Sequence, residues 1–406
     1  MAPAGAQPRR RHYNLGMPHR IRTLTRLAAE IAPDMIEVRR DIHRNPEVGW
    51  TEHRTTRKVV EKLMAWNIKP TVRPEGTGLV ASVGSGERAV GFRADLDALP
   101  IAEEATPSYA SIVPGVMHAC GHDVHTAIAL GTAWVLRQYE DFQGEARFLF
   151  QPAEEMIPGG AQAMRDDGVH RGLEAITAFH VDPSLEAGKV GIRTGGITGA
   201  SDRFTVRLSG PGGHTSRPHQ TVNLLYVAAR IITDLPQLIR NDIDPRETVL
   251  VVFGSVQGGT AANVIPTHAE LQGTVRLFDL HLWREMPKRI ESLVADMAGP
   301  LGATAEVEYM PGSPPVVNDA SVIRKVESAA EAALGAENIK HTHQSLGAED
   351  FAWFLEDVPG ALIRLGAALP DHPVDLHSAS FDIDESAIET GILVASETIL
   401  RLLETG

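Results

Sequence analysis

The sequence has little cysteine, no long apolar run and a deficit of positive charge. Cys120 is the one cysteine among 406 residues, so an internal disulfide is impossible and a secreted disulfide scaffold is excluded. No apolar stretch approaches the ~20 residues that span a membrane, so we expect no membrane partner. Lys and Arg number 38 against 52 Asp and Glu, a formal net charge of −14. This balance argues against nucleic acid as the main partner, because phosphate backbones bind basic surfaces.

The N-terminal residues 1–20 are basic and contain several proline and glycine residues. They lack the apolar stretch of a secretion signal, so we expect a flexible extension of a cytoplasmic protein. In contrast to cysteine, histidine is abundant, with 17 residues. These histidines are a generous supply of metal ligands or proton carriers.

The chain length and the order of its patterns indicate two domains. At roughly 100–200 residues per domain, 406 residues suggest two or three. Helical and short apolar strand patterns alternate over residues 21–199 and 313–406, which is typical of an α/β fold with parallel neighbours. Residues 200–312 instead follow the order β-α-β-β-α-β of a ferredoxin-like domain. We therefore predict an α/β domain with a mixed, mostly parallel sheet, into which a smaller ferredoxin-like α+β domain is inserted.

Four short segments concentrate side chains that bind metals, namely MHACGHDVH (117–125), QPAEE (151–155), AFH (178–180) and DLHS (375–378). They supply six candidate ligands: Cys120, His122, Glu154, Glu155, His180 and His377. One tetrahedral ion needs about four ligands, so six fit two ions with one carboxylate left free. A free carboxylate can take a proton from water and later deliver it to a leaving amine.

The positions of these residues along the predicted strands support a shared site. Glu154 and Glu155 follow the predicted strand EARFLFQ, and His180 ends the strand AITAF. In open α/β sheets, ligands bind beyond the carboxyl ends of the strands. Taken singly, however, each residue has another interpretation. Cys120 could be a small buried apolar residue, and His180 could be a hydrogen-bonded histidine of the core. The two glutamates could belong to a solvated turn. Residue types alone leave open both the metal site and which carboxylate is free.

Ten ordered segments give the chain a recognisable resemblance from about Arg39 to the C-terminal helix. They are RRDIHRNPEVGWTE (39–52), FRADLDALP (92–100), MHACGHDVH (117–125), QPAEE (151–155), FHV (179–181), GPGGHTSRPH (210–219), ANVIP (262–266), GTVRLF (273–278), GAEDF (347–351) and LHSASFD (376–382). On these segments the chain resembles the dinuclear metallopeptidase family of aminoacylases, hippurate hydrolases and plant auxin–amino-acid (IAA–amino-acid) conjugate hydrolases.

The resemblance implies roles for the candidate ligands. Cys120 would bridge two divalent metal ions per subunit, either Zn²⁺ or Mn²⁺ with Co²⁺ as a further candidate. Glu154 would be the general base and acid, which deprotonates water and then protonates the departing amine. The full set of implied metal ligands is Cys120, His122, Glu155, His180 and His377.

The resemblance also implies that the inserted domain is a lid and a dimerisation domain, so we expect a homodimer. His214 would reach across the dimer interface and stabilise the oxyanion in the partner subunit. Asn263 and Arg276 would bind the carboxylate of the substrate. Three further residues would orient the ligand imidazoles from behind: Asp95, Asp97 and His125.

The implied activity is hydrolysis of the amide bond of an N-acyl amino acid or a similar small conjugate. Within the same family, the alternatives are a dipeptidase-like or an N-acetyl-diaminopimelate-type hydrolase. A different chemistry would use Cys120 as a nucleophile with His122 or His125 as its base, and would survive a chelator. A non-enzymatic alternative is a binding or scaffold protein that keeps the fold with a silent site.

Overall fold

The computed structural model describes residues 18–370 and 374–404. Most of the predicted extension, residues 1–17, lies outside this part, and the first helix already begins at His19. Arg20 forms a salt bridge with Glu397 of the last helix, which ties the start of the described chain to its end. None of the helices in the described part is long and apolar enough to cross a membrane.

The helices and strands of the described residues alternate in the predicted manner. The helices are α1 (His19–Arg44), α2 (His53–Ala65), α3 (His122–Gln138), α4 (Gly160–Asp166), α5 (Leu224–Asp242), α6 (Leu280–Ala298), α7 (Ala320–Leu334), α8 (Ala352–Leu355) and α9 (Ser386–Leu403). The strands are β1 (Pro70–Val72), β2 (Leu79–Ser85), β3 (Ala89–Asp95), β4 (Gly144–Gln151), β5 (Ala175–Glu186), β6 (Val190–Ile192), β7 (Gly195–Thr198), β8 (Ser201–Ser209), β9 (Gly213–His214), β10 (Val249–Gly258), β11 (Val264–Ile265), β12 (His268–Leu277), β13 (Thr304–Ser313), β14 (Val316–Asn318), β15 (Ile339–His341) and β16 (Gly360–Ala368).

The larger sheet is mixed, as the sequence predicts. Its order is β1-β2-β4-β3-β5-β16-β6-β15. Parallel pairing joins the central strands β4, β3, β5 and β16, and also β6 with β15. The pairs β1–β2, β2–β4 and β16–β6 are antiparallel. The parallel centre brings the carboxyl ends of four strands to one edge of the sheet, where ligands of α/β proteins bind.

Helices cover both faces of this sheet, which explains why its central strands are apolar. Every residue of β3 is buried, and β16 is buried over all but its last residue. Helices α1, α3, α7 and α9 pack on one face in the main hydrophobic core, and α4 and α8 pack on the other. Strands buried on both faces lose the alternation of an exposed sheet and read as continuous apolar runs.

The second sheet has the order β10-β12-β8-β13 with antiparallel pairing throughout. Phe204, Val206 and Leu208 alternate along β8 and face α5 and α6, with which they form a separate core. This is the predicted ferredoxin-like arrangement, formed by β8, α5, β10, β12, α6 and β13 between Ser201 and Ser313, and the short β9–β11 ladder is an addition to it. The short ladder of β7 with β14 lies where the chain leaves and re-enters the larger sheet.

Candidate metal centre

The six candidate ligands converge at the carboxyl edge of the larger sheet. Five of them line one cavity of about 430 Å³. These five are Cys120, Glu154, Glu155, His180 and His377. His122, the first residue of α3, is 1% exposed and lies behind this cavity. The prediction that these separate segments meet at strand ends therefore agrees with the geometry.

The donor atoms form two overlapping groups. Those of Cys120, Glu155 and His377 lie within 4.8 Å of one another, and so do those of His122, Glu154 and Glu155. The His377 Nε2 atom is 3.0 Å from Glu155 Oε1, and the Cys120 Sγ atom is 3.5 Å from His180 Nε2. Glu155 belongs to both groups, so the two groups adjoin each other.

Backbone carbonyls orient two of the candidate histidines. His122 Nδ1 lies 2.9 Å from the carbonyl oxygen of Asp97, and His180 Nδ1 lies 2.8 Å from that of Val181. A carbonyl oxygen only accepts hydrogen bonds, so each Nδ1 carries a hydrogen, and in the neutral form of each ring the lone pair is on Nε2. The buried Nε2 of His122 has no hydrogen-bond partner within residues 18–370 and 374–404. An imidazole held in this way, with a free Nε2 beside sulfur and carboxylate donors, fits a transition-metal ligand.

Asp97 fixes the loop that carries the two glutamates. Its Oδ1 accepts the Glu154 N–H and its Oδ2 accepts the Glu155 N–H, each at 3.0 Å. The preceding Ala153 has φ of 51°, a left-handed conformation that is uncommon for a residue with a side chain. The Ala153 N–H donates to Glu52 Oε1 at 2.7 Å. Two buried carboxylates therefore stabilise a strained turn and direct both glutamates to the cavity.

His125 acts on the site through the backbone. Its Nε2 accepts the Val181 N–H at 2.9 Å, so its Nδ1 carries the hydrogen and donates to Asp95 Oδ1 at 2.7 Å. The carbonyl of the same Val181 accepts the His180 Nδ1 hydrogen. Asp95 and His125 thus hold the end of β5, and His180 with it. Because both ring nitrogens of His125 are engaged, it has no donor left for an ion.

Glu154 lies in an acidic environment that favours its protonated form. Burial, and then the negative charges of Glu349, Glu155 and Asp350, raise the pKa of Glu154 well above its usual value. Its Oε1 accepts the Asp350 N–H at 3.4 Å. A carboxyl group that readily takes up a proton suits general acid–base chemistry.

His377 comes from a loop with a constrained backbone. Its φ is 61°, and its N–H donates to the Ala119 carbonyl at 2.8 Å, one residue before Cys120. The adjacent Glu155 carboxylate raises the pKa of His377 above its usual value. The side chain is 51% exposed, so this ligand candidate forms the solvent side of the centre.

The candidate residues of the inserted domain divide into two places. Arg276, on β12, lines the cavity, and its Nη1 donates to the Leu346 carbonyl at 2.8 Å. His214 and Asn263 do not line the cavity in the described residues. They lie together at the β9–β11 ladder, where His214 pairs with Val264 and the Thr215 N–H donates to the Asn263 carbonyl. Both His214 and Asn263 are exposed.

Sequence reasoning assigned no role at the site to several residues that contribute to it. Glu52 holds Ala153, and Arg93 contacts Glu349 and Asp350 at 3.0 and 2.9 Å beside Glu154. All four belong to segments that carry the family resemblance, which was the available signal. Arg364, which also lines the cavity, belongs to none of them.

Comparison with known proteins finds a matching family model and several similar proteins. A family model described as peptidase family M20/M25/M40 matches residues 91–401. N-acetylcysteine deacetylase of Bacillus subtilis is 36% identical over 375 residues, which cover 91% of this chain and 97% of that protein. N-acyl-L-amino acid amidohydrolase of Geobacillus stearothermophilus is 42% identical over 298 residues, 73% of this chain and 80% of that protein. A longer Rhodococcus jostii protein, named for glutamate–cysteine ligase, is 41% identical over 361 residues, and the chain spans 45% of its length.

The fold also matches that of a solved structure. A Bacillus subtilis protein described as a dinuclear metal-binding peptidase from the M20 family superposes with a TM-score of 0.80 at 34% identity. The match covers 92% of this chain and 98% of that one. With the family model covering most of the chain, these matches show that the protein belongs to peptidase family M20/M25/M40.

Proposed function

We propose that the protein is a metal-dependent amidohydrolase that cleaves N-acyl amino acids, or similar small amide conjugates, into a carboxylic acid and a free amino acid. The observation that carries this proposal is the convergence of six candidate metal ligands from four separate segments around one cavity. The cavity, about 430 Å³, suits a small molecule. The names of the Bacillus and Geobacillus relatives support an N-acyl amino acid as the substrate.

Two divalent ions per subunit, Zn²⁺ or Mn²⁺ with Co²⁺ as a further candidate, fit the thiolate, imidazole and carboxylate donors. The proposed ligands are Cys120, His122, Glu155, His180 and His377. When bound, such ions supply Lewis-acid chemistry and lower the pKa of water. The Glu154 carboxylate takes the proton of the attacking water and passes it to the departing amine. Arg276 binds the carboxylate of the substrate at the cavity wall.

A homodimer through the inserted domain, residues 200–312, completes the proposed site. His214 is exposed and lies outside the cavity of its own chain, so we assign it to the oxyanion in the partner subunit. Asn263 lies on the same ladder and would bind the substrate carboxylate beside it. The larger domain, residues 21–199 and 313–406, would carry the metals. A reducing cytoplasm suits this protein, because an oxidised Cys120 is a poorer ligand.

Two observations disfavour Cys120 as a nucleophile. Burial raises the pKa of Cys120 to about 12, whereas a nucleophilic cysteine needs a depressed pKa. His125, one of its two possible bases, has both ring nitrogens engaged by Asp95 and Val181. The metal-dependent chemistry therefore has the better support.

The test is metal removal and restoration on the purified protein. We expect a chelator to abolish hydrolysis of an N-acyl amino acid panel, and one of Zn²⁺, Mn²⁺ or Co²⁺ to restore it. Activity that survives full metal removal would favour the Cys120 nucleophile. Faster turnover of dipeptides or N-acetyl-diaminopimelate than of any N-acyl amino acid would favour the family alternatives. Metal-replete protein that hydrolyses nothing in the panel would support a silent site.

A further inference from the structure

Arg364 is a buried cation in the wall of the cavity. It interrupts β16, GALIRLGAA, whose other residues are all apolar or glycine. Its residue surface is 9% exposed, and its guanidinium makes no hydrogen bond or salt bridge with any residue that the structure describes. By contrast, the buried Arg39 and Arg93 each contact three carboxylates. Its nitrogens are not among the fully enclosed, unpaired atoms of the described residues and they line the cavity, so an anionic group that enters the cavity can reach them.

The sheet register directs Arg364 to the metal centre. In the parallel pair of β16 with β5, Arg364 stands directly beside His180, so both side chains lie on the same face. Both line the cavity together with Cys120 and His377. The guanidinium therefore reaches the space in which the proposed substrate reacts.

No acidic side chain of the described residues forms a salt bridge with this cation. Asp182, Glu349 and Cys120 act on Arg364 electrostatically without contacting it. Asp182 Oδ1 is engaged by Ser184, whose N–H and hydroxyl donate at 2.9 and 2.6 Å. Burial lowers the pKa of Arg364 from its usual value, the direction expected for a cation without a close counter-ion. Arginine nevertheless stays protonated in proteins, so the cavity carries a permanent positive charge.

We propose that Arg364 is a specificity-determining residue that binds a second carboxylate of the substrate, distinct from the carboxylate assigned to Arg276. Arg276 on β12 and Arg364 on β16 line the same cavity from different sheets, so one ligand can contact both of them. The planar guanidinium fork matches a carboxylate with two parallel hydrogen bonds. The preferred substrates are then N-acyl amino acids with two carboxylates. This inference rests on the proposed function, because it takes the cavity as the catalytic one.

The second carboxylate can belong to either half of the substrate, and a set of three substrates separates the cases. N-acetylalanine carries one carboxylate, N-acetylglutamate carries a second on the amino acid, and N-succinylalanine carries a second on the acyl group. With the metal-loaded wild-type enzyme, we expect one of the two dicarboxylates to have a higher kcat/KM than N-acetylalanine. If N-acetylglutamate is preferred, Arg364 binds the amino-acid side of the substrate. If N-succinylalanine is preferred, Arg364 binds the acyl side.

The decisive variant is Arg364→Leu. A charge-assisted hydrogen bond contributes about 1.5–3 kcal/mol, so the ratio of kcat/KM for the preferred dicarboxylate to that for N-acetylalanine falls about 10- to 100-fold, mainly through KM. Arg364→Lys keeps the charge, so we expect it to retain part of the wild-type preference for the dicarboxylate. This variant also keeps the inference testable if Arg364→Leu does not fold. Arg26→Leu removes an exposed arginine of α1 and leaves the ratio unchanged. An unchanged ratio in Arg364→Leu, or a wild-type enzyme without preference, overturns the inference.

Binding of succinate, measured by calorimetry on the metal-loaded protein, distinguishes a failure of the Arg364 inference from a failure of the proposed function. We expect Arg364→Leu to bind succinate at least tenfold more weakly than wild type. If this difference appears but no N-acyl amino acid is hydrolysed, the proposed function fails and the anion site stands. If hydrolysis is normal and succinate binds equally to both proteins, the role of Arg364 is refuted and the proposed function stands.

Discussion

At the scale of single residues, two buried carboxylates act on the candidate site through backbone amides. Asp97 accepts the N–H groups of Glu154 and Glu155, and Glu52 accepts that of Ala153. The ligand types and their strand-end positions could be predicted from sequence, because they depend on local order along the chain. The role of Glu52 could not, because it arises only when a segment about 100 residues away packs against it. The role of Arg364 could not be predicted either, because the sequence shows only one charged residue within an apolar strand.

Glu52 gives a pH-dependent prediction. Burial and the nearby Asp97 raise the pKa of Glu52 to about 7 in the folded protein, from a usual value near 4.5. Between these values the folded state binds more protons than the unfolded state, so the free energy of unfolding falls as pH rises. Above pH 8 the full penalty is about 3 kcal/mol. We expect Glu52→Gln, which removes the charge and keeps an acceptor for Ala153, to be more stable than wild type at pH 8 and similar at pH 4.

Urea unfolding of both proteins from pH 4 to 8 measures this difference. Glu61→Gln, on the exposed side of α2, removes a charge without burial and serves as the control. A Glu52→Gln variant whose stability runs parallel to that of wild type across this range would show that Glu52 is not protonated on folding.

At the scale of elements, the start of α3 and the end of β5 are coupled. Gly121 precedes α3 with φ of 83°, and a Cβ atom there would lie 2.4 Å from Val181 Cγ2. One hydrogen bond of His125 holds the same Val181, so His122 and His180 share one support. Periodic patterns predict the long elements well. The two-residue strands β9 and β11, which carry or adjoin His214 and Asn263, have no periodicity and could not be predicted.

Removing His125 tests this coupling. In His125→Leu, Val181 and Asp95 lose their hydrogen bonds to the ring, so we expect the end of β5 to loosen and metal affinity to fall 10- to 100-fold. Titration of the metal-free protein with Zn²⁺ measures the affinity, and His53→Leu, at an exposed histidine of α2, is the control. Equal affinity in His125→Leu and wild type would mean that His180 needs no support from this residue.

At the scale of the whole molecule, the cavity combines the larger sheet with Arg276 from the second sheet. The sequence order β-α-β-β-α-β predicted the second sheet because each element is long and patterned. It could not predict which of its residues reach the cavity, because that depends on how the two sheets are placed relative to each other. Because His214 lies outside the cavity of its own chain, its proposed role as oxyanion donor requires a partner subunit.

Mixing two inactive variants tests that assignment. A chain with Glu154→Gln supplies His214, and a chain with His214→Ala supplies Glu154, so a mixed dimer has one complete site. After exchange of equal amounts, half of the dimers are mixed, and we expect about a quarter of the wild-type activity per chain. The control pairs Glu154→Gln with Arg276→Ala, whose defects both lie in the cavity of the same chain and should not complement. Activity of the first mixture that stays at the level of its parents would contradict the assignment of His214.

The most direct test of a metal-dependent amidohydrolase with Glu154 as its proton carrier is to measure bound metal and turnover together in Glu154→Gln. We predict two divalent ions per chain, as in wild type, and a kcat that is about 10²- to 10⁴-fold lower. Glu155→Gln, at the adjacent proposed ligand, should lose metal under the same conditions. If Glu154→Gln loses metal together with activity, Glu154 is a ligand, and if it keeps its turnover, Glu154 is not the proton carrier.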